Sequence, residues 1–231
     1  MPPPPPILPG FIQVAGVRDA AEARLILDSG VRWLGFPLRL AVHAPDQTEE
    51  AAAALIRTLP PEAVPVLITY LDRAETALEL ARFLGARAIQ LHGAIAPAEL
   101  AALRAAAPEL ALIKSLVLRP GQDAPPLDEL HRLEPWADAF ITDTFDPATG
   151  ASGATGKTHD WRLSRTLAGA TRKPLILAGG LTPDNVAAAI RTVRPAGVDV
   201  HTGVENPATG AKCPERLRAF VERASAAFAQ A

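Results

Sequence analysis

Three segments in the second half of the chain carry residue types that handle a phosphate dianion next to a proton donor. Thr142-Asp143-Thr144 is followed by Gly153-Ala154-Thr155-Gly156-Lys157-Thr158-His159-Asp160-Trp161. Then come Leu177-Ala178-Gly179-Gly180-Leu181-Thr182-Pro183-Asp184-Asn185-Val186 and Asp199-Val200-His201-Thr202-Gly203-Val204-Glu205. Glycines leave backbone N–H groups approachable, and such groups where strands meet helix N-termini form an anion pocket. Gly179, Gly180, Thr202 and Gly203 therefore read as two turns sharing one phosphate. The bland alternative is turn chemistry at positive φ. Gly156 and Lys157 read as a third loop that binds or closes over the ligand, against a merely exposed glycine loop. A nucleotide P-loop is excluded, because its spacing requires glycine at 151, where Ala151 stands.

Single side chains near these turns could move protons. Asp143 ends an apolar run and reads as a general acid, with a helix cap or a structural acceptor as the alternative. His92 faces a ligand or is a satisfied histidine at a strand end. His201 stands beside the phosphate turn and could act as a base near neutral pH, or turn away from the pocket. Tyr70 sits at a strand end, and Asp72 reads as the cap of the next helix. Lys114 lies inside a strand, either pointing inward with a lowered pKa or snorkelling to the surface. Trp33, Trp136 and Trp161 read as packing.

The elements that must position these groups alternate along the chain. Strands are expected at Phe11–Ala15, Arg32–Phe36, Val64–Thr69, Ala86–Leu91, Ala111–Val117, Ala139–Asp143, Pro174–Ala178 and Gly197–His201. Helical periodicity runs from Asp19 to Leu27, ending at Gly30, and over Asp46–Thr58, Asp72–Leu84 and Pro97–Ala106. It continues over Leu127–Leu133, Asp160–Leu167, Pro183–Val193 and Pro214–Phe228. The strands are apolar throughout, as in a parallel sheet covered on both faces. Eight such units in 231 residues predict one (β/α)8 TIM barrel over residues 11–231, after a proline-rich lead-in at residues 1–10. The glycine turns follow the last three strands, where barrels place a phosphate, and not the first turn, where an open doubly wound sheet has its fingerprint.

Composition narrows the partners. A net charge of −2, no basic run and few aromatics give no reason to expect nucleic acid. No apolar run reaches the ~18 residues of a membrane helix, and the N-terminal prolines do not resemble a signal peptide, so a cytoplasmic protein is expected. The single cysteine, Cys213, excludes an intramolecular disulfide and a cysteine metal cluster, and neither metal nor cofactor is expected. The expected partner is a phosphorylated small molecule; nothing speaks to oligomeric state.

At these residues the chain resembles the phosphoribosylanthranilate isomerases of tryptophan biosynthesis. The likeness is strongest from Asp143 to Glu205 and extends to Gln90-Leu91-His92-Gly93 and Gly35-Phe36. It implies an Amadori rearrangement: an acid opens the aminoribose ring, and a base takes the C2 proton. Asp143 matches the family's acid. The family's base is a cysteine in a strand-one Lys-Ile-Cys-Gly, which here reads Gln13-Val14-Ala15-Gly16, so Ala15 occupies that position. The family's Ser-Pro-Arg after strand two has no matching arginine in Arg39-Leu40-Ala41-Val42-His43, and Cys213 lies elsewhere, before the last helix. Three readings stand: an isomerase with another base, an enzyme on a different phosphorylated sugar or aldehyde, or a phosphate-ligand binder without catalysis.

Overall fold

Eight parallel strands close on themselves in the computed structural model, which describes residues 4–42, 44–148, 150–152 and 158–230. They are β1 Phe11–Ala15, β2 Trp33–Pro37, β3 Val64–Thr69, β4 Ala88–Leu91, β5 Ala111–Leu118, β6 Ala139–Asp146, β7 Leu175–Leu177 and β8 Gly197–Val200. Each pairs with its sequence neighbours, and β1 pairs with β8, so the ring has no edge. The helices are α1 Ala20–Asp28, α2 Glu49–Ile56, α3 Ala74–Leu84, α4 Pro97–Ala106, α5 Leu127–Leu133, α6 Trp161–Ala170, α7 Val186–Val193 and α8 Pro214–Phe228. This is the expected (β/α)8 barrel.

Strand alternation sorts the residues into two cores. Phe11, Ala15, Trp33, Val66, Ile113, Ile141 and Ile176 pack together inside the ring. Their neighbours Val14, Leu34, Leu67, Leu112, Phe140, Leu177 and Val198 pack outward under the helices. Toward the C-terminal ends the inward positions turn polar, with Gln13, Gln90, Asp143 and Asp199 at 8% exposure or less. Those positions build the site.

Several local expectations change. Strand β6 runs three residues beyond Asp143, because its end pairs antiparallel with the two-residue strand Ala151–Ser152. Helix α3 starts two residues past Asp72, and its free N–H at Ala74 donates to Glu99 Oε2 of α4 at 2.8 Å, so Asp72 is not the cap. Helix α7 starts at Val186, where Asn185 follows a turn held by the Thr182 N–H donating to Asn185 Oδ1 at 2.8 Å. Lys114 neither points inward nor snorkels. It alternates with Ile113 and Ser115, so it faces the helix layer, where Nζ lies 3.6 Å from Glu129 Oε1 of α5 and donates to the Ser115 carbonyl at 2.5 Å. Burial pushes its pKa down, and Glu129 partly counters this. Trp136 is 38% exposed rather than packed away. Among the described residues, no helix is long and apolar enough to cross a membrane.

Candidate active site

A cavity of about 340 Å³ opens at the C-terminal ends of the strands, the end that carries the active site in barrels of this kind. Asp143, His92, His201, Gly179, Gly180, Thr202 and Gly203 all line it. Seven of the nine residues singled out from sequence thus converge on one space. The other two, Gly156 and Lys157, lie outside the described residues.

The wall that carries His92, Asp143 and Asp199 is built on β4, β6, β8 and β1. His92 Nδ1 lies 3.0 Å from Asp143 Oδ2, both side chains are nearly buried, and Asp143 Oδ1 accepts the Thr144 N–H at 2.8 Å. The His92–Asp143 approach is close but off the hydrogen-bonding direction, leaving Nδ1 without a conventional hydrogen-bond partner among the described residues. On the other edge of the ring His92 Nε2 is 2.7 Å from Gln90 Nε2. Gln90 Oε1 accepts from Gln13 Nε2 at 2.7 Å, and the same Gln13 nitrogen donates to Asp199 Oδ1 at 2.9 Å. A polar chain thus runs beneath the cavity from Asp143 to Asp199, crossing strands that are otherwise apolar.

Asp199 lines the cavity too, and sequence reading passed over it although it stood inside a quoted motif. Burial, opposed by the Gln13 hydrogen bond and assisted by the charge of Asp143, pushes its pKa up to about 7. A carboxyl raised this way favours the folded state while it holds its proton, so its contribution is intact below about pH 4 and is lost as pH rises toward 7. Across that window it amounts to roughly 4 kcal/mol at most. Asp199→Asn should therefore flatten the fall in stability between about pH 4 and 7. Denaturant midpoints of both proteins across that range test this, and parallel curves would refute it.

The opposite wall comes from the glycine turns after β7 and β8. The N–H groups of Gly179 and Gly180 have no hydrogen-bond partner among the described residues. Asn185 Nδ2 donates to the Gly180 carbonyl at 2.9 Å and fixes the turn. Gly179 has φ +95°, and a Cβ there would lie 2.3 Å from Thr144 Oγ1. The short 3-10 helix Thr202–Val204 presses against the same turn: a Cβ on Gly203 would fall 1.8 Å from the Leu181 carbonyl oxygen. Only glycine lets the two turns approach this closely. Behind them His159 bridges Thr144 Oγ1 at 2.9 Å and Ser164 Oγ at 2.6 Å, and burial lowers its pKa to about 4, so it is neutral at physiological pH.

The rim sets His201 among charges that the sequence did not single out. His201 Nε2 lies 3.3 Å from Glu205 Oε1 and 3.8 Å from Asp46 Oδ2. Its ring packs against the end of β1, where a Cβ on Gly16 would meet Nε2 at 2.0 Å. Lys212 Nζ, fully buried, donates to Glu205 Oε1 at 2.7 Å. Arg18 Nε and Nη2 both reach Glu22 Oε1, at 3.0 and 2.6 Å. Asp46 sits in the loop after β2, which supplies Leu40, Val42 and Ala44 as an apolar wall. Its pKa is raised by burial in spite of Lys212. Ala15 lines the cavity beside this rim.

Comparison with known proteins agrees with this geometry. A family model described as N-(5'-phosphoribosyl)anthranilate (PRA) isomerase matches residues 12–223. The N-(5'-phosphoribosyl)anthranilate isomerase of Haloferax volcanii is 39% identical over 94% of this chain and 93% of its own length. That of Desulforudis audaxviator is 37% identical over 94% and 99%. Among solved structures, the phosphoribosyl anthranilate isomerase of Thermotoga maritima superposes with a TM-score of 0.78 at 27% identity, covering 94% of this chain and 98% of that one. The Thermus thermophilus enzyme gives 0.77 at 27% identity, with the same coverage.

Proposed function

The chain belongs to the N-(5'-phosphoribosyl)anthranilate isomerase family, and from that premise we propose how its residues divide the work of the isomerase. The 5-phosphate of the aminoribose sits on the N–H groups of Gly179 and Gly180 and on the Thr202-Gly203 turn, where the partial positive charge of helix starts favours an anion. Gly156 and Lys157 complete the grip. Asp143, paired with His92, delivers a proton to the ring oxygen as the C1–O bond breaks and the nitrogen lone pair forms the C1=N bond. His201 then removes the C2 proton. The C2–H electrons become the C1=C2 bond of an enolamine as the C1=N π electrons return to nitrogen, and the enolamine then gains a proton at C1 and loses the O2 proton to give the ketone. No thiol takes part, since Ala15 stands where one would be.

The observation that carries this reading is the meeting of the Asp143–His92 pair and the two glycine turns on one cavity. Purified protein should convert N-(5'-phosphoribosyl)anthranilate at a measurable rate, with inorganic phosphate as a competitive inhibitor. Gly203→Ala should force the Leu181 carbonyl away and raise KM by about tenfold or more, because at least one charge-assisted hydrogen bond is lost. Folding of the variant is checked by its thermal transition. An unchanged KM and an unchanged phosphate inhibition constant would remove the turns from the site.

A further inference from the structure

Two glutamines join Asp199 to His92 beneath the cavity, and the proposed function gives them no task. We infer that Gln90 is a positioning residue: it keeps the His92 proton on Nδ1, so that the ring cannot accept the proton of Asp143 and that proton stays available to the ligand. The destination of the proton rests on the proposed function, whereas the tautomer rests on the hydrogen bonds alone.

Each link of the chain dictates the next. Gln13 Nε2 lies 2.9 Å from Asp199 Oδ1. An ionised carboxylate only accepts hydrogen bonds, so the Gln13 amide must turn its nitrogen toward it. The second N–H of that nitrogen needs another acceptor, and it finds Gln90 Oε1 at 2.7 Å. Gln90 is thereby fixed with its own nitrogen toward the histidine, 2.7 Å from His92 Nε2. An amide nitrogen only donates, so Nε2 must supply the lone pair, and a neutral imidazole with its lone pair on Nε2 carries its proton on Nδ1. Gln13 Oε1 is buried without a hydrogen-bond partner among the described residues. Turning that amide over would bring no relief, because its oxygen would then face a carboxylate and a second carbonyl.

The consequence falls on Asp143, whose Oδ2 is 3.0 Å from His92 Nδ1. Were Nδ1 bare, a protonated Asp143 would donate to it, and the proton would be held between the two side chains. With a proton already on Nδ1, the ring offers Asp143 no acceptor. It presents a donor instead to the carboxylate that forms as the acid gives its proton away, which favours the charged product of that step. The ring of Tyr70 lies beside that of His92, with centroids 5.6 Å apart, and helps to hold its orientation. Gln90 is 1% exposed and His92 9%, so bulk water does not compete for the bond between them.

Long-range proton–nitrogen correlation spectra report which ring nitrogen of His92 carries the proton. They are recorded at about pH 8, where Asp199, with its pKa pushed up to about 7, is mostly ionised. Wild type should show Nδ1–H. An ionised Asp143 favours the same tautomer, so the decisive comparison removes it: Asp143→Ala should keep Nδ1–H, and Asp143→Ala with Gln90→Met should go over to Nε2–H, the form free histidine favours. Nε2–H in wild type or in Asp143→Ala overturns the inference, as does Nδ1–H that the added Gln90→Met leaves in place. Gln90→Met alone nearly preserves the side-chain size. It should lower kcat on N-(5'-phosphoribosyl)anthranilate by about tenfold, the worth of one hydrogen bond, with KM within a few-fold. A folded Gln90→Met protein with wild-type kcat also overturns it. Thermal transitions check folding, and the wild-type and Asp143→Ala spectra decide without the glutamine variants. If the spectra agree and the substrate is not converted, the proposed function falls and the tautomer stands; if it is converted and the spectra disagree, the reverse holds.

Discussion

Asp143→Asn is expected to lower kcat by about 10²–10⁴, the usual worth of a positioned general acid, while phosphate affinity stays within a few-fold of wild type. The substitution keeps the side chain's shape and preserves an acceptor for the Thr144 N–H, which reaches Oδ1 at 2.8 Å. What it removes is the proton. The carboxamide can still sit 3.0 Å from His92 Nδ1, but it has nothing to pass to a furanose oxygen. Because the turns proposed to hold the phosphate follow β7 and β8 rather than β6, ligand binding should be spared, and kcat and kcat/KM should fall together, the mark of an interaction made in the transition state. His92→Asn should reproduce part of the loss by freeing the carboxyl to rotate. A variant that folds, binds phosphate and turns over at the wild-type rate would show that the acid lies elsewhere.

The sequence exposed the barrel and its glycine turns because both are written locally. Eight apolar runs alternating with helical spacing dictate a closed parallel sheet, and Gly179, Gly180 and Gly203 mark places where no side chain fits. What stayed hidden depends on partners distant in the chain. Gln13 and Gln90 are polar positions in apolar strands, and that anomaly was the available signal; yet their role appears only when β1 and β4 bring them within 2.7 Å of each other across 77 residues. Asp199 acquires its raised pKa from the same assembly. Asp46 reads in sequence as the start of the helix expected over Asp46–Thr58; the helix begins at Glu49 instead, and the fold carries Asp46 to the lip of the cavity beside His201. The cap of α3 fails for the same reason: Glu99 arrives from the neighbouring helix, and a local rule had given the task to Asp72.

His201→Ala is the second large effect expected, a fall in kcat of about 10²–10⁴ if the imidazole is the base that takes the C2 proton. The case rests on position. The ring leans on Gly16, so its Nε2 lies against the strand end that carries Ala15, and Glu205 and Asp46 hold it from the rim at 3.3 and 3.8 Å. A base at that place can be substituted from β1, which gives a test that loss of activity alone does not. Ala15→Cys in the His201→Ala background puts a thiol at the same strand end, on the cavity wall next to the space the imidazole has vacated. Part of the lost rate, tenfold or more, should return. That recovery should also grow as pH approaches the ordinary thiol pKa of about 8.5, because only the thiolate accepts a proton. In the wild-type background the same substitution should change little, since the base is already present. If His201→Ala keeps full activity, the proton leaves by another route, and Asp199, buried on the adjacent strand with a pKa near 7, is the group whose replacement by asparagine should then abolish turnover. If the double variant folds, binds phosphate and gains nothing at any pH, the end of strand β1 is not where the C2 proton departs.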